Sequence, residues 1–252
     1  MRAQATQVPR RQNPSKRRRL MGRGSAVGIL IVALLIGGAL AFVQSDFFRL
    51  ETLEIEGLDR IGSDEIQTLL DVRRGQHMFA FQLGELKARL QRDARIESAL
   101  LERDFPGRLR VYINEREPLA VLIYRGLFAE VDAQGVVLSV DNRWPEGELP
   151  VLSEVDIEVL VLGEPALASS NRLLYCLEHL GGLAPMISEL YHSERGITLI
   201  TEKGAQIWFP EKEGKIDEAV EALKEILDIR VPTQGCTVDL RLPERPILRC
   251  GN

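Results

Sequence analysis

The amino-acid sequence predicts an α+β chain with a single apolar helix near its N-terminus. Behind the helix come a small β-α-α-β-β unit and a larger unit with a mixed, mainly antiparallel sheet and two helices. Three observations carry this expectation. Ala26 to Val43 reads AVGILIVALLIGGALAFV, without a charge or a polar side chain. After it, apolar residues recur either every second position or at helical spacing. Turn residues punctuate the change from one rhythm to the other.

With Ser25 the apolar run has 19 residues, about 29 Å of helix against a hydrocarbon core of about 30 Å. It has no polar face, which a helix on a soluble core would show. Gly28, Gly37 and Gly38 would weaken it in water and are tolerated in lipid. The sequence therefore predicts a transmembrane helix over residues 25–43. Residues 1–24 carry eight basic side chains, Arg2, Arg10, Arg11, Lys16, Arg17, Arg18, Arg19 and Arg23, and no acidic one. Residues 25–252 hold 24 basic and 37 acidic side chains, a net of −13. Basic residues just before a span stay in the cytoplasm. This predicts a cytoplasmic tail at 1–24 and extracytoplasmic domains. Nucleic-acid binding by the KRRR run is the weaker reading of a basic cluster so placed. A cleaved signal peptide is the rival, since Ala39-Leu40-Ala41 has the small-x-small form of a cleavage site. The long basic region and the continuation of the apolar run through Phe42 and Val43 favour a retained anchor.

The first folded unit spans residues 46–117. Leu53 and Ile55 alternate with Thr52, Glu54 and Glu56, a half-buried strand ending at Gly57. Ser63 suits an N-cap, with Asp64 and Glu65 in the first turn and Ile66, Leu69 and Leu70 at helical spacing. Leu83, Leu86 and Leu90 mark a second helix to Arg92. Ile96 to Arg103 is a strand, Phe105-Pro106-Gly107 a turn, and Leu109, Val111 and Ile113 the inward side of a third strand.

Pro118 opens the second unit, residues 118–252. Strands are predicted at Ala120–Tyr124, Phe128–Val131 and Val136–Val140, with the turn Asp132-Ala133-Gln134-Gly135 between the last two. Leu149-Pro150-Val151-Leu152 is an apolar step. Glu154, Asp156 and Glu158 alternate with Val155, Ile157 and Val159 and read as the wet face of a strand. Asn171 to Leu180 is a helix stopped by Gly181-Gly182. Strands follow at Ile197–Thr201 and Ala205–Phe209. Ile216 to Ile229 is the clearest helix, with Ile216, Val220, Leu223 and Leu227 inward. A strand at Thr237–Leu242 and a last one at Ile247–Cys250 complete the chain.

The residue types exclude most chemistry. His77, His179 and His192 stand on different elements, without HExxH or His-x-His spacing. GxSxG, the phosphate-binding loop and GxGxxG are absent. Three cysteines, Cys176, Cys236 and Cys250, form no CxxC. Cys176 reads as core, and a Cys236–Cys250 disulfide is left open. No catalytic, cofactor-binding or metal-binding residue is assigned, and no cofactor is expected.

A series of short segments resembles the FtsQ/DivIB family of bitopic bacterial cell-division proteins. They are Phe47-Phe48-Arg49-Leu50 before Leu53-Glu54-Ile55-Glu56-Gly57, then Pro106-Gly107-Arg108-Leu109-Arg110-Val111 running into Glu115-Arg116-Glu117-Pro118-Leu119-Ala120. Val131 to Val137, Leu149 to Leu152 and Val238-Asp239-Leu240-Arg241 follow in the family's order. Phe209-Pro210 departs from the pattern, where an apolar residue and glycine are expected. The resemblance implies a POTRA domain at 46–117 and the family's β domain at 118–252. It implies a non-enzymatic scaffold at the division septum. The implied partners are membrane proteins of the FtsB/DivIC and FtsL type, with no nucleic acid and no small-molecule substrate. The rivals are a POTRA-type export or chaperone module and a septal wall enzyme.

The same resemblance points to the terminal sheet edge as the docking place. Pro243 and Pro246 remove two backbone donors, so the segment Ile247-Leu248-Arg249 can return beside the preceding strand as an edge. On the predicted strand Val238, Leu240 and Leu242 share one face and Asp239 and Arg241 the other. Arg241 and Arg249 would meet acidic partner residues, and Leu242 and Ile247 would supply apolar contact, with Leu248 between them on the partner surface. The alternative is that Leu240 and Leu248 only close the core.

Overall fold

Residues 23–145, 147–157, 159–167, 171–229 and 231–251 are described by the structure, a computed structural model, with side chains from Val27 onward. The predicted basic tail falls outside them except for its last two positions. Residues up to Phe48 form one unit and those from Arg49 another.

The first unit holds helix α1, Arg23–Val43, of 21 residues. At 1.5 Å per residue it is about 31 Å long. Ile29, Leu30, Leu34, Leu35 and Phe42 are all exposed, so the helix keeps no side buried within its own unit. Counting only positions whose side chains are described, which begin at Val27, no helix is long and apolar enough to cross a membrane. A 3-10 turn, Asp46–Phe48, follows. There Phe47 packs edge-on against Phe48 at 5.2 Å.

The second unit begins with strand β1, Thr52–Glu56. Helices α2, Ser63–Leu70, and α3, Leu83–Leu90, come next. Strands β2, Ile96–Asp104, and β3, Arg108–Glu115, close the series. The sheet order is β1-β3-β2, with β3 parallel to β1 and antiparallel to β2. Period two explains the packing. Leu109, Val111 and Ile113 turn one face inward, against Ile66 and Leu70 of α2 and Leu86 and Leu90 of α3. Each such side chain contributes about 1.5–3 kcal/mol by leaving water. The opposite face carries Glu54 between Arg108, at 3.1 Å, and Arg110, at 3.2 Å. These exposed pairs contribute at most about 1 kcal/mol each. Ser63 is the first helical residue and not the cap; extended Gly62 precedes it, without a side-chain bond. The helix starts one residue earlier than its polar residues suggest.

The loop before α2 is held from below. Gly57 turns with φ +85° directly over the Ile113 carbonyl. Two residues further, Glu115 accepts three backbone N–H bonds, from Asp59 at 2.9 Å, Arg60 at 3.0 Å and Ile61 at 3.2 Å. Burial alone would raise its carboxyl, but these three amides outweigh it and hold the group below the ordinary 4.5. A lowered carboxyl stabilises the fold above its unfolded value, and that contribution vanishes as pH falls through the folded value. Denaturation midpoints should therefore drop on acidification below about pH 4.5. Glu115→Gln should cost about 1–2 kcal/mol at neutral pH and flatten that acid slope. An unchanged slope in the variant would assign the acid sensitivity to other carboxylates.

The second sheet has nine strands, ordered β12-β11-β10-β9-β8-β7-β4-β5-β6. These are β4 Ala120–Tyr124, β5 Leu127–Val131, β6 Val137–Asp141, β7 Val151–Leu152, β8 Ile187–Ser193, β9 Gly196–Thr201, β10 Gln206–Phe209, β11 Cys236–Asp239 and β12 Ile247–Cys250. Neighbours are antiparallel except β4 with β7, β7 with β8, and β10 with β11. Two helices complete the unit, α4, Arg172–Leu180, and α5, Ile216–Ile229. Asn171 caps α4, its side-chain oxygen accepting from the Leu173 N–H at 2.9 Å. The helix stripes Leu173, Leu174 and Leu177, and Ile216, Val220 and Leu223, meet sheet residues Leu122, Leu190, Leu199 and Phe209 in one core. Cys176 lies in that core, and burial pushes its thiol up to about 12, so it stays protonated.

Ion pairs join the two sheets. Arg60 reaches Glu130 at 2.8 Å, and Arg116 reaches Asp132 at 2.7 Å. Asp132 is buried, and its other oxygen accepts the Gln134 and Val136 N–H groups at 2.9 Å each. The predicted turn residue thus also closes the seam between the sheets.

Three expectations need correction. Strand β8 was not predicted, because its register slips between Ile187 and Glu189 and the alternation of apolar residues slips with it. Glu154 and Asp156 lie on irregular chain and not on a strand, with Glu154 at φ 55°; Glu158 lies outside the described residues. Val155 and Ile157 still turn toward the core, which accounts for the alternation without a ladder. Strand β11 ends at Asp239, three residues short of the predicted Leu242.

Candidate partner-docking edge

Strand β12 is one of the two outermost strands of the nine and, among the described residues, pairs with β11 alone. Between the two lies a turn in which Pro243 and Pro246 prevent regular pairing. The turn is tied down by Lys215, whose Nζ meets Glu244 at 2.6 Å. The register pairs Asp239 with Ile247, Val238 with Leu248, Thr237 with Arg249 and Cys236 with Cys250. Opposed residues share a face. Leu248 therefore follows the buried Val238 toward the core side, and Ile247 follows Asp239 to the outer side. The last pair is a disulfide, Cys236–Cys250, closing a span of 14 residues. A loop of this length is worth about 3 kcal/mol in the chain-entropy account.

The sequence-predicted site residues lie along one edge, but of the five only Arg241, Leu242 and Ile247 share a groove. Leu242 is 62% exposed, Ile247 42% and Leu248 37%. Leu242 does not share the face of Val238 and Leu240, because the strand stops before it and the turn carries it outward. A groove is lined by Leu242 and Ile247 together with Asp239, Arg241 and Arg245. Arg241 is not a free cation. Its Nε and Nη2 donate to Asp239 at 2.9 and 2.7 Å. Hydrogen bonding from Arg241 outweighs the effect of burial and holds the Asp239 carboxyl below its ordinary range. Arg249 adds a smaller attraction in the same direction.

Sequence reasoning missed the aromatic floor beside the edge. Trp208 of β10 pairs in register with Asp239. The Arg195 guanidinium lies 4.4 Å from its ring centre and that of Arg241 5.3 Å. Arg195, Trp208 and Arg241 come from separate segments, so no local spacing connects them. The resulting surface offers a free strand edge, apolar side chains beside it, and cations fixed by stacking and pairing. Among the described residues, no group of three metal-ligating side chains occurs.

The architecture defines a small three-stranded α+β domain joined to a large mixed sheet that presents an open edge. Family models match both halves: "POTRA domain, FtsQ-type" over residues 48–116, and "Cell division protein FtsQ/DivIB, C-terminal" over residues 120–241. The chain belongs to the FtsQ/DivIB family of cell-division proteins. It is 30% identical over 183 residues to cell division protein FtsQ of Syntrophotalea carbinolica, covering 70% of this chain and 64% of that one. It is 29% identical over 227 residues to FtsQ of Anaeromyxobacter sp., covering 85% and 76%. Against the first of these, the chain spans less than two thirds of the relative's length. Of the predicted docking residues only Arg241 falls within a matched span; Leu242, Ile247, Leu248 and Arg249 lie beyond it.

Proposed function

We propose that this protein is a non-enzymatic, bitopic scaffold of the bacterial division machinery, and that the β12 edge receives a strand from a partner. The partner would be a membrane protein of the FtsB/DivIC type, with an FtsL-type protein in the same assembly, at the septal membrane. One observation carries the reading: β12 is an outermost strand, and Leu242 and Ile247 are exposed beside Arg241 in one groove. An incoming strand completes the unpaired backbone row, and alternate side chains read it. Acidic partner residues would meet Arg249 and the Arg241 stack.

The test is Leu242→Glu with Ile247→Glu. Both positions are exposed, so the fold should survive, as circular dichroism would show. Binding to the purified FtsB/DivIC-type protein of the same organism should fall about tenfold or more. Unchanged binding would move the interface to another surface.

The same reading includes the anchor, resting on the apolar run behind the basic tail. Mass spectrometry of the membrane fraction should recover peptides that precede Ala41. A mature chain beginning at Phe42 would mean a cleaved signal.

A further inference from the structure

We infer that the Cys236–Cys250 disulfide is a redox clamp that keeps β12 in place as the edge of the sheet. The inference deepens the docking reading above and, where it concerns partner binding, rests on it. The two strands joined by the bond are held very unequally. Strand β11 pairs on its other side with β10, through Thr237, Val238 and Asp239, and Val238 and Leu240 are buried in the core. Among the described residues, strand β12 pairs with β11 alone. Its Ile247, Leu248 and Arg249 are exposed, so little apolar burial ties it down. Short ladders without a covered apolar face open readily. The covalent bond at the Cys236–Cys250 pair, with the Gly251 N–H donating to the Gly235 carbonyl at 3.0 Å, keeps the far end of the pairing closed.

Opening the bond needs a dithiol reductant. Cys236 is buried and Cys250 half-buried, which makes Cys250 the accessible sulfur. A reductant thiolate attacks Cys250 Sγ, and the sulfur–sulfur bond breaks. Cys236 leaves as a thiolate and takes up a proton. The second thiol of the reductant then displaces Cys250 from the mixed disulfide. Two protein thiols form, and the dithiol becomes a disulfide. Cys176 takes no part, because it is buried in the core and stays protonated. Once the bond is open, β12 leaves the ladder and β11 becomes the edge. A partner then meets Thr237 and Asp239 in place of Ile247 and Leu248.

The experiment is hydrogen–deuterium exchange of the full chain, oxidised and after dithiothreitol, beside the Cys236→Ser/Cys250→Ser variant. Amides of residues 247–251 should exchange about tenfold or more faster after reduction and in the variant. Amides of β9 and β10 should not change, which also reports an intact fold. Equal rates in the two redox states at 247–251 would overturn the clamp. A second arm measures binding of the FtsB/DivIC-type protein to both forms. Weakening of about tenfold or more on reduction supports control of docking, and equal affinity overturns that control. Absence of binding in both forms refutes the docking reading, and the clamp is then judged on exchange alone.

Discussion

Phe209→Ala is expected to destabilise the second unit by about 3–5 kcal/mol. Phe209 is the largest of the fully buried side chains, at 0% exposure, and belongs to the core between the sheet and helices α4 and α5. Its backbone cannot follow a shrinking side chain. Phe209 pairs with Ile197 in the ladder, and a Cβ added at Gly196 would stand 2.7 Å from the Phe209 carbonyl oxygen. The site therefore collapses little, and most of the ring volume remains as cavity. Urea denaturation of the purified protein should show the loss as a lower midpoint. Phe209→Leu, which keeps much of the volume, should cost less than about 1.5 kcal/mol. A loss below about 1 kcal/mol for the alanine variant would mean that neighbouring leucines fill the space.

Gly57→Ala should cost about 3 kcal/mol or more in the first sheet. Two terms combine there. The φ of +85° disfavours any side chain, and an added Cβ would sit 2.0 Å from the Ile113 carbonyl oxygen. Ile113 is on the central strand and pairs with Ala99 of β2, so the obstructing atom is backbone held in the ladder. Gly126 provides the comparison. Its φ is +82°, nearly the same, but nothing lies within 4 Å of the added carbon. Gly126→Ala should therefore cost only the conformational part, about 1 kcal/mol. Equal losses at the two positions would show that the Ile113 contact relaxes and that φ alone decides.

Much of this fold is legible in the sequence wherever pairing and burial coincide. The residues of β3 alternate without a slip, and α5 occupies the span its apolar stripe predicts, although Ile226 is more buried than Leu227. Strand order is a different matter. Strand β10 lies parallel to β11 with α5 between them in sequence, and β7 contributes two residues to the centre of the sheet. Such pairings depend on distant segments, and hydrophobic period records only the face that is buried. At the terminal edge, the two prolines make the turn readable, but period two carries the strand through Leu242, which the structure places in the turn instead. The stack of Arg195, Trp208 and Arg241 could not be read, since it exists only once three strand ends converge.

The parallel pairing of β1 with β3 has a consequence for how the chain is made. Glu54 is opposed to Arg110, 56 residues further along. At about 5–20 residues per second, a ribosome needs about 3–11 s to supply the partner after β1 has been synthesised. For that interval β1 is a strand without a sheet, and its Leu53 and Ile55 have no completed core to enter. β2 is made before β3 and cannot substitute, since in the finished sheet it lies beyond β3. Nascent chains stalled anywhere before Arg108 should therefore be uniformly open to protease across the first domain, and resistance should arrive in a single step once β3 has emerged.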